Sequence, residues 1–451
     1  MSIHTDRCLV PPHPELRERM RRELERLRAG ADPIVGRALG FEAPNRMGFN
    51  DGLIIPGTYF PDATPAAVVR RAAAERAPLR GPVRVIVVLV DFPDQPMVET
   101  RQHFQDLFFT AGTPPHGSVK DYYREVTNGL LDVVGEVVGP YRLAHPMSYY
   151  ANNQSGTGNT EPNARTMAQD AVRLADPDVD FKPYDNDGNG FVDAFIVLHA
   201  GPGAEVTGSG QHIWSHKWVL PAEYTTDGTH VYGYLTVPED SKIGVCCHEL
   251  GHLLFGWPDL YDTDGSSEGL GNWCLMAGGS WNGGGDRPAH PSAWCKASQG
   301  WVTVVNQAKD GEVKITDVKR DHIIYRLWTN STIGPEYFLV ENRQRQNFDT
   351  DLPGEGLLVY HIDDAIQTNS NEVHPKVKLM EADGERQLEQ GLNRGDLGDI
   401  FPGNTKNRTF TKVSQPSSKT YSGRDSYVSI TEISDAAASM TAHVTTHRAK
   451  R

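Results

Sequence analysis

His248 and His252 stand four residues apart with Glu249 between them, in the run HELGHLLFGWPD over residues 248–259. No other feature of the chain constrains its local fold so tightly. A helix puts positions four apart on one face, so the run predicts a helix from which two imidazoles reach a common point. HExxH on a helix is the pattern of a zinc hydrolase: two histidine nitrogens bind one ion, and the carboxylate one step round reaches water beside it. Pro238, Asp240 and Ser241 offer the helix start, while Ile243, Cys246 or Cys247, Leu250 and Leu254 give an apolar stripe at helical spacing. Gly256 and Pro258 stop it. Gly244 and Gly251 each cost a helix roughly 1 kcal/mol against alanine, so packing or close backbone approach must hold this one.

An ordinary helix with two surface histidines is the bland alternative. Against it stands the glycine-rich run NWCLMAGGSWNGGG, whose Met276 suits the methionine turn that many one-metal proteases place under their histidines. A catalytic zinc takes three protein ligands and water, and no later histidine falls at a metzincin spacing, so a carboxylate is expected third. Asp259 is the first candidate, because Gly256 lets the chain turn sharply beneath the helix. Glu268, sixteen residues past His252, is the second. Asp259, Asp262 and Asp264 also read as a solvated or calcium-binding loop. For the oxyanion, Tyr261 and His290 are the nearest candidate donors.

A second metal is suggested by Asp185, Asp187, Asn189, Gly190 and Asp193, which fall at positions one, three, five, six and nine of a calcium loop. Ile196 replaces the glutamate at position twelve and begins no helix, so the loop is expected to feed a strand and to hold a structural calcium ion. The acidic segment from Glu381 to Asp399 is a further calcium candidate, with a solvated loop as its alternative.

The central run resembles the immune inhibitor A group of bacterial zinc metallopeptidases. The likeness is carried by HELGH, GWPDLYDTDG, WCLMAGGSW and RPAHPSAW, by SVKDYYREVTNGLLDV and DNDGNGFVDAFIVLHAGPGAE before them, and by EYFLVENRQ, GLLVYHID and NRGDLGDIFPG after them. It covers most of residues 80–435. The resemblance implies that His248 and His252 are zinc ligands, Glu249 the catalytic carboxylate and Met276 the methionine-turn residue. One departure matters. The family has its glycine three and its aspartate six residues after the second histidine, whereas Gly256 and Asp259 come one residue later.

Three regions follow from composition. Residues 1–80 are charged and proline-punctuated, with one helix from Pro14 to Ala29, and read as an accessory segment or removable pro-segment. Residues 81–305 alternate strand and helix signals, from the buried strand VRVIVVLVDF to HVYGYLTV, an expected edge strand for substrate, and then the histidine helix. This is an α/β (α+β) zincin or metzincin-like catalytic domain. Residues 306–451 carry seven short strand signals, EVKITDV, HIIYRLW, EYFLVENR, GLLVYHID, VKLMEA, YVSITEIS and MTAHVTT, and suggest a β-sandwich-like C-terminal domain.

Bulk properties agree with a hydrolase of protein or peptide substrates. A net charge of −14 disfavours nucleic acid and anionic membrane as partners, and no apolar run approaches the roughly 18 residues of a membrane helix. A monomer is expected. Cys246, Cys247, Cys274 and Cys295 gather around the metal run without CxxC spacing, which leaves disulfides or buried thiols open; Cys8 is the odd one, either an exposed, inert cysteine or a thiolate that would bind zinc and silence a precursor. The family points to secretion and to a zymogen, although MSIHTDRCLVPPHPEL holds no charged-then-apolar leader. The rival reading is a catalytically silent, calcium-stabilised surface or binding protein on a protease fold. It would require loss of a ligand or of the base, and His248, Glu249 and His252 are all present.

Overall fold

The computed structural model describes residues 10–30 and 46–447, the side chains of 23–30 excepted. By contacts the chain divides into two units, Met1–Arg124 with Gly129–Pro258 and Glu125–Asn128 with Asp259–Arg451.

In the first unit, helices α1 (Pro14–Gly30) and α2 (Ala66–Ala74) precede strand β1 (Gly81–Asp91). Helices α3 (Arg101–Phe108) and α4 (Val119–Val126) follow, then β2 (Leu131–Arg142), α5 (Ala164–Ala175), β3 (Phe195–His199), β4 (His216–Thr226), β5 (Thr229–Pro238) and α6 (Ile243–Phe255). The five strands form one sheet in the order β2-β1-β3-β5-β4, parallel except for β4. Near-continuous apolar runs make β1 and β3 the buried centre, as parallel strands covered on both faces require. Helix α5 packs on β4, β2, β1 and β5, and α6 on β5 and β4.

The edge differs from the sequence expectation. HVYGYLTV, in β5, is interior, and the edge is β4, HKWVLPAEYTT. The reason is a two-residue hairpin at Asp227 and Gly228, whose φ values of 52° and 74° suit the left-handed turn that folds β4 back along β5. Pro221, in the bulged stretch between Val219 and Tyr224, obscures β4 as a strand signal.

Residues 46–80 are built into this unit. Leu53, Val69 and Ala73 share a small core with Met47, Phe60 and Tyr232. The buried ammonium of Lys217 donates to Gly48 O (2.9 Å), Leu53 O (2.8 Å) and Asp51 Oδ1 (3.2 Å).

The second unit carries a five-stranded and a three-stranded sheet. Strands β6 (Thr303–Asn306), β8 (Ile323–Trp328), β9 (Glu336–Arg343), β10 (Gly356–Asp363) and β11 (Val377–Leu379) run in the order β11-β10-β9-β8-β6. Strands β7 (Gly311–Thr316), β12 (Ser429–Thr431) and β13 (Ser439–Thr445) form the other, β12-β13-β7. One core joins them, with Val313, Ile315 and Met440 from the small sheet and Leu327, Phe338 and Val359 from the large one. Residues 259–302 are bonded within this unit: Leu260 O accepts from Asn369 Nδ2 (2.9 Å), and Glu268 N–H donates to Leu388 O (2.9 Å).

Candidate metal centre

Every residue of α6 is buried, so the apolar stripe read from the sequence understates its packing. Burying Ile243, Val245, Leu250, Leu253, Leu254 and Phe255 contributes roughly 1.5–3 kcal/mol each, which outweighs the ~2 kcal/mol cost of Gly244 and Gly251. The start lies one residue later than expected. Lys242 is the N-cap and no side chain caps it, since Ser241 Oγ turns to the Lys242 carbonyl (3.5 Å) and Cys246 Sγ (3.6 Å).

The stop is as read. Gly256 adopts φ 64°, and its N–H bonds back to Gly251 O and His252 O. A Cβ there would lie 2.8 Å from Ala74 Cα, so this is where backbone approaches closely. Arg76 donates to Leu253 O (2.7 Å) and Leu254 O (3.2 Å), placing a cation on the carbonyl end of the helix. Tyr123 of α4 donates to Cys247 O (2.6 Å).

That C-terminal turn fixes the chemistry of the second histidine. Trp257 N–H reaches Gly251 O (3.3 Å), and its carbonyl accepts from His252 Nδ1 at 2.6 Å. With Nδ1 carrying the proton, Nε2 of His252 is left as an electron-pair donor. It faces His248 Nε2 at 3.1 Å, the two rings crossing at 82°. Two such nitrogens repel unless a proton or a cation lies between their lone pairs, so the donor set fits a metal ion.

Within the same stretch of chain, Asp259 brings a carboxylate into this group: ligand atoms of His248, His252 and Asp259 all lie within 4.8 Å of one another, and all three residues are buried. Glu268 is not part of it and stands 3.9 Å from Arg394. Asp262 is engaged by Ser266 Oγ (2.8 Å), Ser267 N–H (2.9 Å) and Asp264 N–H (3.1 Å). Glu249 is buried in the helix beside His248. Met276 is buried, its carbonyl accepting the N–H of Leu260 (2.7 Å). Tyr261 is buried, and His290 Nε2 is bonded to Glu125 at 2.7 Å.

The aspartate loop is held by bonds between its own side chains and backbone. Gly190 N–H donates to Asp185 Oδ2 (2.9 Å), Asn189 N–H to Asp187 Oδ1 (3.1 Å), and Phe191 N–H to Asn189 Oδ1 (2.9 Å). Ligand atoms of Asp185, Asp187 and Asp193 lie within 4.8 Å of one another. Asp185 Oδ1 is buried without a hydrogen-bond partner. Asp193 has a partner that spacing could not show: Arg76 lies 3.4 Å away, while burial holds the Asp193 carboxyl up at about 6.

Cys246, Cys247, Cys274 and Cys295 are buried free thiols, so of the two sequence alternatives the thiols hold, with no disulfide among the described residues. Burial pushes the Cys246 thiol up to about 12. Cys8 lies outside the described residues.

Residues 80–304 match the immune inhibitor A peptidase M6 catalytic domain. That stretch belongs to the family. It is 32% identical over 269 residues to the pre-pro-metalloprotease PrtV of Vibrio cholerae serotype O1 (strain M66-2), covering 47% of this chain and 29% of that protein. Over 200 residues it is 34% identical to immune inhibitor A of Bacillus thuringiensis subsp. alesti, covering 36% of this chain and 28% of the relative. The matched region thus spans less than a third of each of these relatives.

Proposed function

We propose that the chain is a zinc-dependent endopeptidase, with zinc held by His248, His252 and Asp259 and with Glu249 as general base. One observation carries the reading: the buried Nε2 atoms of His248 and His252 meet at 3.1 Å, one of them locked as a donor by the Trp257 carbonyl. When bound, zinc supplies Lewis acidity, lowering the pKa of water from 15.7 to about 7 and polarising the scissile carbonyl. Glu249 takes the proton of the attacking water on a carboxylate oxygen and delivers it to the nitrogen of the departing peptide. The grouping of Asp259 with the histidines supports it over Glu268 as third ligand. A mostly parallel five-stranded sheet with one antiparallel edge, followed at once by the HExxH helix, supports the zincin or metzincin-like reading, with Met276 as the methionine-turn residue. Two sheets on one core support a sandwich-like C-terminal domain.

Protein or peptide chains are the substrates of this reading. An extended peptide would add to the outer edge of β4. There Asn50 already receives Lys217 N–H on its side chain (3.2 Å) and gives its own N–H to Lys217 O (3.3 Å), and Arg165 holds Val219 O and Leu220 O (both 2.9 Å). This supports latency by residues 46–54 covering the edge. Calcium is assigned to Asp185, Asp187, Asn189 and Asp193 as a structural ion. Action outside the cell follows from the family resemblance, and no described helix is long and apolar enough to cross a membrane.

Zinc analysis and a casein digest with and without chelator test the proposal. Glu249→Gln should keep its zinc and lose roughly 10²–10⁴ of turnover, the range a general base contributes. A fully active Gln variant overturns the assignment of Glu249, and an inactive but zinc-loaded parent points to a silent binding protein.

A further inference from the structure

The second unit gathers a set of acidic side chains that the metal centre and the aspartate loop leave unused. Ligand atoms of Glu381, Asp383 and Asp399 lie within 4.8 Å of one another. Glu381 and Asp399 are buried, at 5% and 0% exposure. The bonds to Asp399 use one side of its carboxyl. Asp399 Oδ2 accepts from Trp273 Nε1 (2.8 Å) and Asp396 N–H (2.9 Å), Asp383 Oδ1 accepts from Glu385 N–H (2.9 Å), and Glu381 Oε2 accepts from Gln387 N–H. Asp399 Oδ1 remains, fully enclosed and without any hydrogen-bond partner. Leaving such an oxygen unsatisfied carries its full desolvation penalty, larger still when it is charged, so a buried orphan on a carboxylate calls for a ligand.

No lysine or arginine pairs with these three carboxylates among the described residues; Arg386 feels Glu381, but its guanidinium is bonded to Glu389. Burial, reinforced by the neighbouring charges, pushes Glu381 and Asp399 each up to about 7. The backbone is also cut to fit. Gly398 runs past Asp383 so closely that a Cβ would sit 2.0 Å from Asp383 Oδ2 and 3.0 Å from Asp396 Oδ1.

We propose that Glu381, Asp383 and Asp399 bind a calcium ion that ties the 381–399 loop closed. The donors are all hard oxygens, with no histidine or cysteine in the group, which disfavours zinc. Three carboxylates suit calcium, which takes 6–8 oxygens in flexible geometry, better than magnesium, which is usually bound through one or two. This site is independent of the peptidase reading.

Terbium, a calcium substitute, reports on the site through Trp273, whose indole is bonded to Asp399. The full chain, stripped with chelator and dialysed, is titrated with terbium under tryptophan excitation, and calcium equivalents are counted by equilibrium dialysis. Asp383→Asn keeps the oxygen that Glu385 N–H needs, so the loop should still form. The expected result is tryptophan-sensitised emission that calcium displaces and equimolar magnesium does not, with one calcium equivalent lost in Asp383→Asn and in Gly398→Ala. Asp187→Asn, in the other acidic loop, should leave that emission intact. Equal stoichiometry and emission in the parent and in a folded Asp383→Asn overturn the site, as does equal displacement by magnesium.

Discussion

Glu341 and Asp349 on one side, and Glu381 and Asp399 on the other, are two pairs of buried carboxylates in the same unit that meet opposite fates. The first pair is neutralised by the protein. Lys296 Nζ bonds Glu341 Oε2 (2.5 Å), Arg343 bridges Glu341 Oε1 (3.2 Å) and Asp349 Oδ2 (2.7 Å), and Lys319 stands 3.4 Å from Asp349. Despite burial, these cations hold both carboxyls below the ordinary range. The second pair receives only N–H groups, and burial drives it upward. Depth alone therefore does not decide whether a carboxylate is at home in a fold. What decides is whether the chain supplies the countercharge or leaves it to a ligand.

The largest test removes the countercharge. Arg343→Met takes the shared guanidinium from two buried carboxylates, leaving Lys296 to Glu341 and Lys319 to Asp349, and should cost about 3–5 kcal/mol in denaturant unfolding, with or without calcium. A loss under ~1 kcal/mol would erase the contrast. Next comes the missing cation: calcium at about a hundred times its Kd should stabilise the chain by ~2.7 kcal/mol through the second site. That share should vanish in Asp383→Asn.

A smaller effect separates the pairs by pH. Glu381 and Asp399 have folded values near 7, above the ordinary unfolded carboxylate values near 4, so the folded chain holds more protons between those limits. In chelator their contribution to stability is therefore present below pH ~4 and is lost as pH rises toward 7. Asp383, Asp396 and Arg386 also act on this pair, so the readout is the difference in slope between the parent and Asp399→Asn. Glu341 and Asp349 run the other way, stabilising above the unfolded carboxylate range and failing in acid. The smallest effect is expected of Glu381→Gln at pH 8 in chelator, where relief of buried charge should leave stability within ~1 kcal/mol of the parent. A loss of several kcal/mol would mean the carboxylate already has a partner.

The same distinction marks what could be read in advance. The 248–252 spacing, the Gly256 stop and the Asp185–Asp193 pattern were legible because each is a relation between residues a few positions apart, where helix or turn geometry leaves one outcome. The strands from Glu336 to Arg343 and from Gly356 to Asp363 were legible for a similar reason, as apolar runs bounded by turn residues. The edge of the first sheet was misjudged although the Asp227-Gly228 hairpin signal was there, because Pro221 broke the alternation of the strand before it.

Sequence by itself thus determined that a helix over HELGH would set His248 and His252 on one face, since residues four apart lie close together at 3.6 residues per turn. Tertiary structure alone decided that the Trp257 carbonyl would orient His252, that Arg76 would cap the helix and share Asp193, and that carboxylates 18 residues apart at 381 and 399 would converge. Those contacts depend on where separate segments come to rest, and burial sets their energies only once the chain has closed around them.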